Sequence, residues 1–426
     1  MHLSLPLLAA TLAGIASALP SQQQQITFNT PSTGSSRFLT SAFSPLSEAD
    51  LIALTSLPTD HLAQLEKHIL SLPERRKVQL SEDKIIEITE GEKALLTFAG
   101  KHFVDVTDDD ESLKITAAVK EKHSFPSKLT YSKKDLAKVF DKISIKEMKT
   151  FLTAFSGFRT RYYRSSEGKQ SQNFLLGQIT QIANTNKDLN IKIKEFPHPW
   201  GQNSILVRFE PTAKNASDEV VIVGAHQDST NLLPFLGAPG ADDDGSGTTS
   251  ILEAFRVLVS SGFQPVHHPV EFHWNSAEEG GLLGSKAIAQ DYQRRGIRVK
   301  SYHQNDMTAW VKAGTKPTIG LITDYVDSDY TAFLGRVIEE YSTIGYTPTQ
   351  CSYACSDHAS WSTIGAPSAF TIESTFEDSN HNIHSGKDTI EYSKEFSFEH
   401  MAEFTRVAIG NVIELSGGDS IIKSKN

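Results

Sequence analysis

The sequence predicts a three-layer α/β/α sandwich with a mixed, largely parallel central sheet, preceded by an N-terminal segment of different character. Two observations support this fold class. From about residue 126 onward, short apolar runs rich in β-branched residues alternate with stretches of helical periodicity, as expected of strands connected by helices. Hydrophobic residues make up 38% of the 426 residues and charged residues 22%, a composition typical of a globular protein with a sizeable core.

Six runs are predicted as strands because each is short, apolar and rich in β-branched or aromatic residues. They are SILVRF (204–209), VVIVGA (220–225), VEFHWN (270–275), VKSYHQN (299–305), TIGLIT (318–323) and SAFTIE (368–373). Helices are expected after Gly245, Gly281 and Asp329. A final helix is expected over about 395–415, where apolar residues recur at three- and four-residue spacing.

The first 125 residues differ from the rest of the chain. Residues 1–18 form an apolar run that ends in Ala16-Ser17-Ala18, which predicts a cleaved signal peptide and a secreted protein. A polar lead-in follows, then one or two short helices from about residue 47, and then a charged segment. That segment contains Arg75-Arg76, a basic pair that is interpreted as a processing point. Residues 19–125 are therefore interpreted as a separable segment.

Charge, apolar runs and cysteines narrow the class of protein further. The net charge of −10 and the lack of a dense Lys/Arg run argue against nucleic acid as a partner. No later run is long enough to predict a membrane span. Cys351 and Cys355 are expected to form a local disulfide in an oxidising compartment, although a metal half-site is the alternative. Asn215 begins an Asn-Ala-Ser glycosylation sequon in a polar turn.

Polar residues follow the ends of four predicted strands. In α/β sheets the carboxyl ends of parallel strands open onto one crevice, where functional groups converge. The residues concerned are His226 and Asp228 after the second strand, Glu278 and Glu279 after the third, Asp306 after the fourth, and His384 in the loop after the sixth, together with the acidic run Asp242, Asp243 and Asp244.

This set of side chains favours a zinc site. Two imidazoles and at least three carboxylates are ligands that zinc prefers, and a bridging carboxylate would permit two ions. Glu278 and Glu279 are adjacent and point in different directions, so one can bind metal while the other acts as a general base. Asp228 can orient His226 through its second ring nitrogen.

Six motifs resemble those of the co-catalytic zinc aminopeptidases, the family of secreted bacterial leucyl aminopeptidase, and most closely its fungal extracellular leucine aminopeptidases. They are VIVGAHQDST, APGADDDGSG, NSAEEGGLLGS, QNDM, CSYACSDHASW and NHNIHS, in that order over 221–385. The resemblance implies a zinc-peptidase or phosphorylase/hydrolase-like fold and two Zn²⁺ ions per catalytic domain. The metal ligands that it implies are His226, Asp243, Glu279, Asp306 and His384.

The resemblance also implies a role for each residue. Asp243 would bridge the two ions, with His226 and Asp306 on one ion and Glu279 and His384 on the other. Glu278 would be the general base, and Asp228 would support the first histidine. Tyr353, between the disulfide cysteines, would assist carbonyl binding, and a purely structural tyrosine is the alternative. The expected substrate pocket consists of Met307, Phe370, Ile372, Phe376 and Ile383.

The resulting expectation is a secreted metalloexopeptidase that releases N-terminal Leu and other large apolar residues from peptides with a free N-terminus. Residues 19–125 would be its pro-region and 126–426 its catalytic domain, unless the segment is a subdomain retained in the mature protein. We expect a monomer. The alternatives are a catalytically silent peptide-binding ectodomain, a single-zinc enzyme similar to glutaminyl cyclases, and a carboxypeptidase-like enzyme.

Overall fold

The computed structural model describes residues 45–110 and 124–422. The predicted signal peptide lies outside the described residues. Residues 45–110, here called the N-terminal unit, contain three helices and a small sheet. These elements are α1 (Glu48–Thr55), α2 (Thr59–Ser71), β1 (Arg75–Ser81), β2 (Lys84–Thr89), α3 (Lys93–Phe98) and β3 (Val104–Asp105).

The main domain, residues 124–422, contains eight strands and nine α-helices in the described part of the chain. Its strands are β4 (Ile191–Phe196), β5 (Ser204–Phe209), β6 (Val220–His226), β7 (Val270–Asn275), β8 (Val299–Asn305), β9 (Ile319–Ile322), β10 (Tyr346–Thr349) and β11 (Ser368–Ile372). Its helices are α4 (Lys133–Phe140), α5 (Ile145–Phe155), α6 (Ser166–Ala183), α7 (Gly245–Ser260), α8 (Leu283–Arg294), α9 (Ser328–Tyr341), α10 (His358–Thr363), α11 (Phe398–Ser416) and α12 (Asp419–Ile422). No described helix is long and apolar enough to cross a membrane.

The eight strands form one mixed sheet, in the order β10-β9-β11-β8-β6-β7-β5-β4. The four central strands, β11, β8, β6 and β7, run parallel to one another. Strand β5 pairs antiparallel with both β7 and β4, and β9 pairs antiparallel with β11. The predicted fold class is therefore confirmed, and antiparallel pairing is confined to the two flanks of the sheet.

Strand β6 shows how the sheet separates the core into two layers. Alternate residues of a strand point to opposite faces. Val221 and Val223 join the larger core, where α7, α9 and α11 pack. Val220 and Ile222 face the smaller core, which contains Ile288 of α8 and Trp361 of α10. Because both faces are covered, every residue of β6 is buried, and its polar end residue His226 is buried with the rest.

Two strands of the sheet and the small sheet of the N-terminal unit were not predicted. Strand β4 has the sequence IKIKEF, whose charged side chains mark a half-exposed edge strand. Strand β10 is short and contains Pro348, which is tolerated because β10 is the other edge of the sheet. The N-terminal unit was expected to be helical and then charged, whereas its charged part forms β1 and β2.

The pair Arg75-Arg76, interpreted from the sequence as a processing point, lies in the central strand of the small sheet. Strand β1 pairs antiparallel with β2 on one side and with β3 on the other. The guanidinium of Arg76 is largely buried, and its Nε lies 2.7 Å from Glu90 Oε2. Both residues therefore lie in a paired strand, with the Arg75 side chain exposed, and their use as a processing point stays a prediction.

Candidate functional site

The polar residues predicted at strand ends converge at one edge of the sheet. His226 ends β6, Glu278 and Glu279 follow β7, and Asp306 follows β8 directly. His384 lies in the loop after β11 and completes the cluster. These are the four adjacent parallel strands at the middle of the sheet, so the loops at their carboxyl ends share one crevice.

Asp243 lies between two histidines that come from different loops. Its Oδ1 is 3.1 Å from His226 Nε2, and its Oδ2 is 3.1 Å from His384 Nε2. Asp306 Oδ1 lies 3.5 Å from His226 Nε2, and Glu279 Oε2 lies 3.0 Å from His384 Nε2. The five residues thus form two adjacent groups that share one carboxylate, the arrangement expected for two ions with a bridging ligand.

Asp244 is also close to His226 and Asp306, but its carboxylate is used in another way. Its oxygens accept hydrogen bonds from the backbone N–H groups of His226 at 3.0 Å, Gly247 at 2.8 Å and Met307 at 3.1 Å. These three bonds fix the backbone beside two of the candidate ligands. Asp243, whose oxygens face both histidines, is therefore better placed to bind metal than Asp244.

Asp228 connects the first histidine to the loop that carries the two glutamates. Its Oδ1 lies 3.5 Å from His226 Nδ1. The same carboxylate accepts the backbone N–H of Glu278 at 3.1 Å and that of Glu279 at 3.3 Å. Asp228 is completely buried, and its carboxylate faces the imidazole while it fixes the glutamate loop.

Several supporting residues were not predicted from the sequence. Ser356 donates its hydroxyl to Asp306 Oδ2 at 2.5 Å. Asp388 accepts the backbone N–H of Asp242 at 2.9 Å and that of Asp243 at 3.0 Å. Ser356 lies within a quoted motif and Asp388 four residues after His384, but nothing local marks either of them as a support. Their roles depend on tertiary contacts alone.

The chemistry of the donor set fits a cation. The nitrogens of His226, Glu279 Oε1 and Asp306 Oδ1 are buried and have no hydrogen-bond partner. Burial alone would lower the pKa of His226 and His384, yet the surrounding carboxylates, with Asp306 and Glu279 foremost, raise both well above the ordinary range. An environment that favours positive charge on imidazole also favours a metal ion bound to neutral imidazole.

Glu278 lies beside these groups and lines the cavity without pairing to either histidine. Burial raises the pKa of Glu278 well above its usual range, and the charges of Glu279 and Asp306 raise it further. Bound cations would act in the opposite direction. A carboxyl group whose proton affinity is adjusted in this way is suited to accept a proton and then return it.

A cavity of about 370 Å³ opens directly onto the cluster. Asp243, Glu278, Glu279, Asp306 and His384 line its polar side. Its apolar wall contains all five predicted pocket residues, Met307, Phe370, Ile372, Phe376 and Ile383, together with Tyr353, Cys355 and Leu232. The five predicted pocket residues also belong to one hydrophobic cluster with Cys351. A disulfide joins Cys351 and Cys355 at the rim, as predicted.

The N-terminal unit lies over the mouth of this cavity. Thr97, Gly100, Lys101, His102 and Phe103 contribute to the cavity lining. The imidazole of His102 stacks on Tyr353, with 3.7 Å between the ring centroids.

Two hydrogen bonds to backbone carbonyls attach the N-terminal unit to the glutamate loop. Lys93 Nζ donates to Gly280 O at 3.0 Å, and Asp105 N donates to Gly281 O at 3.1 Å. A Cβ atom on Gly281 would lie 2.6 Å from Asp105 N, so only glycine permits this approach.

A buried ion cluster joins the two parts of the chain at the same place. Glu90, whose side chain is fully buried, lies 3.1 Å from both Lys93 Nζ and Arg164 Nε. It also accepts the Tyr163 hydroxyl at 2.7 Å. Burial would raise the pKa of Glu90, but Lys93, Arg164, Tyr163 and Arg76 together lower it to about 2.

Comparison with known proteins identifies the family. Residues 204–409 match the profile described as peptidase family M28. Leucine aminopeptidase 1 of Chaetomium globosum is 45% identical over 358 residues, which covers 81% of this chain and 86% of that protein. This chain belongs to peptidase family M28. Because it is an M28 member whose relatives are aminopeptidases, it is an aminopeptidase. The family resemblance of its sequence motifs is therefore confirmed.

Solved structures agree with the M28 fold. The LapA aminopeptidase of Legionella pneumophila has a TM-score of 0.69 and 28% identity, covering 81% of this chain and 99% of that chain. A glutaminyl cyclase of Porphyromonas gingivalis has a TM-score of 0.51 and 15% identity, covering 64% of this chain and 99% of that chain. The second likeness concerns the fold alone. The same fold therefore occurs in an enzyme of different activity. The residues of the site, and not the fold, have to distinguish an aminopeptidase from a glutaminyl cyclase.

Proposed function

We propose that this M28 aminopeptidase is a secreted, two-zinc enzyme that releases N-terminal leucine and other large apolar residues from peptides. The observation that carries the proposal is the position of Asp243, whose two oxygens face two histidines from separate loops. A single-zinc enzyme, such as the glutaminyl-cyclase-like alternative, would need only one of the two groups that Asp243 joins.

His226, Asp243 and Asp306 would hold one ion, and Asp243, Glu279 and His384 the other. When bound, two zinc ions would polarise the scissile carbonyl and lower the pKa of a water molecule. The carboxylate oxygens that line the cavity could also accept hydrogen bonds from the free α-amino group of a peptide. Binding of a free amine at this place would support an exopeptidase that acts at the N-terminus of a peptide.

Glu278 would act as the general base. In the reaction, the oxygen of a water molecule attacks the carbonyl carbon of the first peptide bond and the carbon–nitrogen bond breaks. Glu278 would take the proton from that water and deliver it to the leaving amine nitrogen. The hydrogen bonds from the Glu278 and Glu279 N–H groups to Asp228 support this role, because they fix the loop that carries the base.

Tyr353 would donate its hydroxyl to the substrate carbonyl oxygen. Burial, followed by the charge of Glu278, raises the pKa of Tyr353, so the phenol keeps its proton at neutral pH. The disulfide between Cys351 and Cys355 restricts the loop on which Tyr353 lies. The apolar wall formed by Met307, Phe370 and neighbouring residues supports the preference for large apolar side chains.

The N-terminal unit would serve as the pro-region of this enzyme. The contacts of Lys93 and Asp105 with the glutamate loop, and the stacking of His102 on Tyr353, support this assignment. A peptide entering the cavity would have to displace residues 97–103. The processing point and the boundary predicted at residue 125 stay predictions, as do secretion and glycosylation of Asn215, which lies exposed in a turn.

Hydrolysis of leucine p-nitroanilide and of its N-acetylated form tests the proposal. The assay would compare the full chain with the same protein after limited proteolysis, before and after chelation and zinc restoration. Activity confined to the free-amine substrate and restored by zinc supports the proposed function. Zinc-loaded, proteolysed protein that cyclises an N-terminal glutamine but releases no amino acid would support the glutaminyl-cyclase alternative, and protein inactive in both assays would be a silent ectodomain.

A further inference from the structure

Arg161 is a completely buried arginine that no motif in the sequence singles out. It lies between α5 and α6 and packs over the ring of Phe155, with its Cζ 4.4 Å from the ring centroid. Arginine offers five N–H donors in a planar fork and keeps its charge in proteins, so complete burial needs several well-aligned acceptors.

The acceptors of the Arg161 guanidinium are backbone carbonyls near the two ends of the β6–α7 loop, residues 227–244, which carries metal-site residues. Its Nε donates to Gln227 O at 2.8 Å, and Gln227 lies between His226 and Asp228. Its Nη2 donates to Gly240 O at 2.8 Å, and its Nη1 donates to Pro239 O. The segment after Gly240 leads directly into Asp242–Asp244. One rigid group therefore connects the start of this loop, next to His226, with the part that leads to Asp243.

The backbone around Arg161 is built for this contact. Its own N–H donates to Ser229 Oγ at 2.9 Å, which adds a second connection to the loop after β6. Gly240 has a φ of +54°, and a Cβ atom there would lie 2.8 Å from Arg161 Nη2 and 2.5 Å from Asp243 O. A side chain at residue 240 would therefore collide with both the guanidinium and the backbone of Asp243.

The charge of Arg161 faces the acidic side of the site. Burial lowers the pKa of Arg161 to about 10, and the charges of Asp388, Asp244, Asp228 and Asp243 oppose this fall. The guanidinium therefore stays positive at neutral pH. It offsets part of the negative charge that these carboxylates concentrate, without occupying the oxygens that face the histidines.

We propose that Arg161 is a positioning residue for the metal centre, which sets the separation between His226 and Asp243 by binding carbonyls near both ends of the β6–α7 loop. The inference rests on the proposed two-zinc function. In this role Arg161 affects the affinity and the geometry of the metal site. A purely structural role, in which Arg161 only packs against Phe155, would affect neither.

The test compares Arg161→Lys with Arg159→Lys in the full chain. Lysine keeps the charge of Arg161 but cannot reach three carbonyls in one plane. Arg159 is a matched control from the same segment, since its side chain is about half exposed and pairs with Glu167 at the surface. It also donates to a carbonyl of the β6–α7 loop, Phe235 O at 3.1 Å, but at a point several residues from any candidate ligand. Zinc retained during titration with a chelator would be measured, together with the electronic spectrum of the cobalt-substituted protein.

We expect Arg161→Lys to lose half of its zinc at a chelator concentration about 10- to 100-fold lower than the concentration at which the wild type loses half. The spectrum of its cobalt-substituted form should also differ from that of the wild type. Arg159→Lys should match the wild type in both measurements. If the wild type binds zinc and Arg161→Lys changes neither the zinc retention nor the cobalt spectrum, the inference about Arg161 is wrong and the proposed function is not affected. A wild type that binds no zinc would instead overturn the proposed function.

A second variant covers the case in which Arg161→Lys does not fold. Ser229→Ala removes the acceptor of the Arg161 backbone N–H and leaves the guanidinium in place. It should shift zinc retention in the same direction by a smaller factor, of several-fold. If Ser229→Ala folds and retains zinc as the wild type does, the contact of Arg161 with the β6–α7 loop does not position the metal site.

Discussion

The imidazole of His102 and the phenol ring of Tyr353 stack with 3.7 Å between their centroids and an angle of 17° between their planes. His102 belongs to the N-terminal unit, and Tyr353 lies at the rim of the cavity that opens onto the candidate metal ligands. This contact therefore places a residue from the first quarter of the chain where a substrate would have to pass.

Replacing His102 by alanine should raise the basal activity of the full chain. Aromatic pairs contribute about 0.5–1.5 kcal/mol beyond the area that they bury, so the loss of stacking should increase the open population roughly 2- to 10-fold. The measurement is kcat/KM for leucine p-nitroanilide before proteolysis. Ile85→Ala, at an exposed position of the same unit, is the control. Equal activity in the two variants would contradict a covering role for His102.

The contact between the N-terminal unit and the main domain should weaken in acid because of Glu90. Its pKa in the folded protein is lowered from 4.5 to about 2, so its stabilising contribution is complete above about pH 4.5 and is lost as the pH falls through 2. The shift corresponds to a free energy of unfolding on the order of 3 kcal/mol.

Urea unfolding of the full chain at pH 6, 4.5 and 3 measures this contribution. Glu90→Gln should be less stable than the wild type at pH 6, and the difference between the two should shrink toward pH 3. A difference that stays constant over this range would mean that the charge of Glu90 does not stabilise the folded protein.

Glu278→Gln should remove turnover and preserve metal binding. The amide keeps the size of the side chain but cannot accept the proton, which should lower kcat by about 10²- to 10⁴-fold. Zinc per chain, measured by elemental analysis, should not change, because the ligands do not include Glu278. Glu377→Gln is an exposed control near the cavity. A Glu278→Gln protein with a kcat near that of the wild type would remove Glu278 from the proposed mechanism.

His384→Ala should separate the two halves of the metal site. His384 faces Asp243 Oδ2 and Glu279, whereas His226 faces Asp243 Oδ1 and Asp306. Zinc bound after dialysis should therefore fall from two ions per chain to about one. A wild type that itself holds one ion would favour the single-zinc alternative, and a variant that still holds two would exclude His384 as a ligand.

Much of the main domain was predictable because its central strands have a strong local signal. Strands β5, β7 and β8 have the predicted bounds, since each is a short and mostly buried run. The edge strand β4 gave no such signal, because a strand with one paired side and one solvated side carries lysines where a central strand carries valines. The final helix begins at Phe398 rather than near 395, after a Ser397 cap.

The candidate ligands were predictable for a related reason. They follow strand ends, so the sheet brings together residues that are far apart in sequence. Arg161 and Asp388 belong to no strand end, and their partners are backbone groups of distant loops. A single arginine or aspartate in a loop is most often exposed, so only the folded chain distinguishes these two residues from others of their kind.

The location of Arg75 and Arg76 in the middle of a three-stranded sheet affects when this enzyme would mature. Proteases cleave exposed, extended chain, so β1 would first have to part from β2 and β3, and Arg76 would have to leave Glu90. If a protease cuts the chain at this pair, the rate of cutting would depend on how often that opening occurs. The pairing of three short strands would thereby limit how readily the chain is cut at this point.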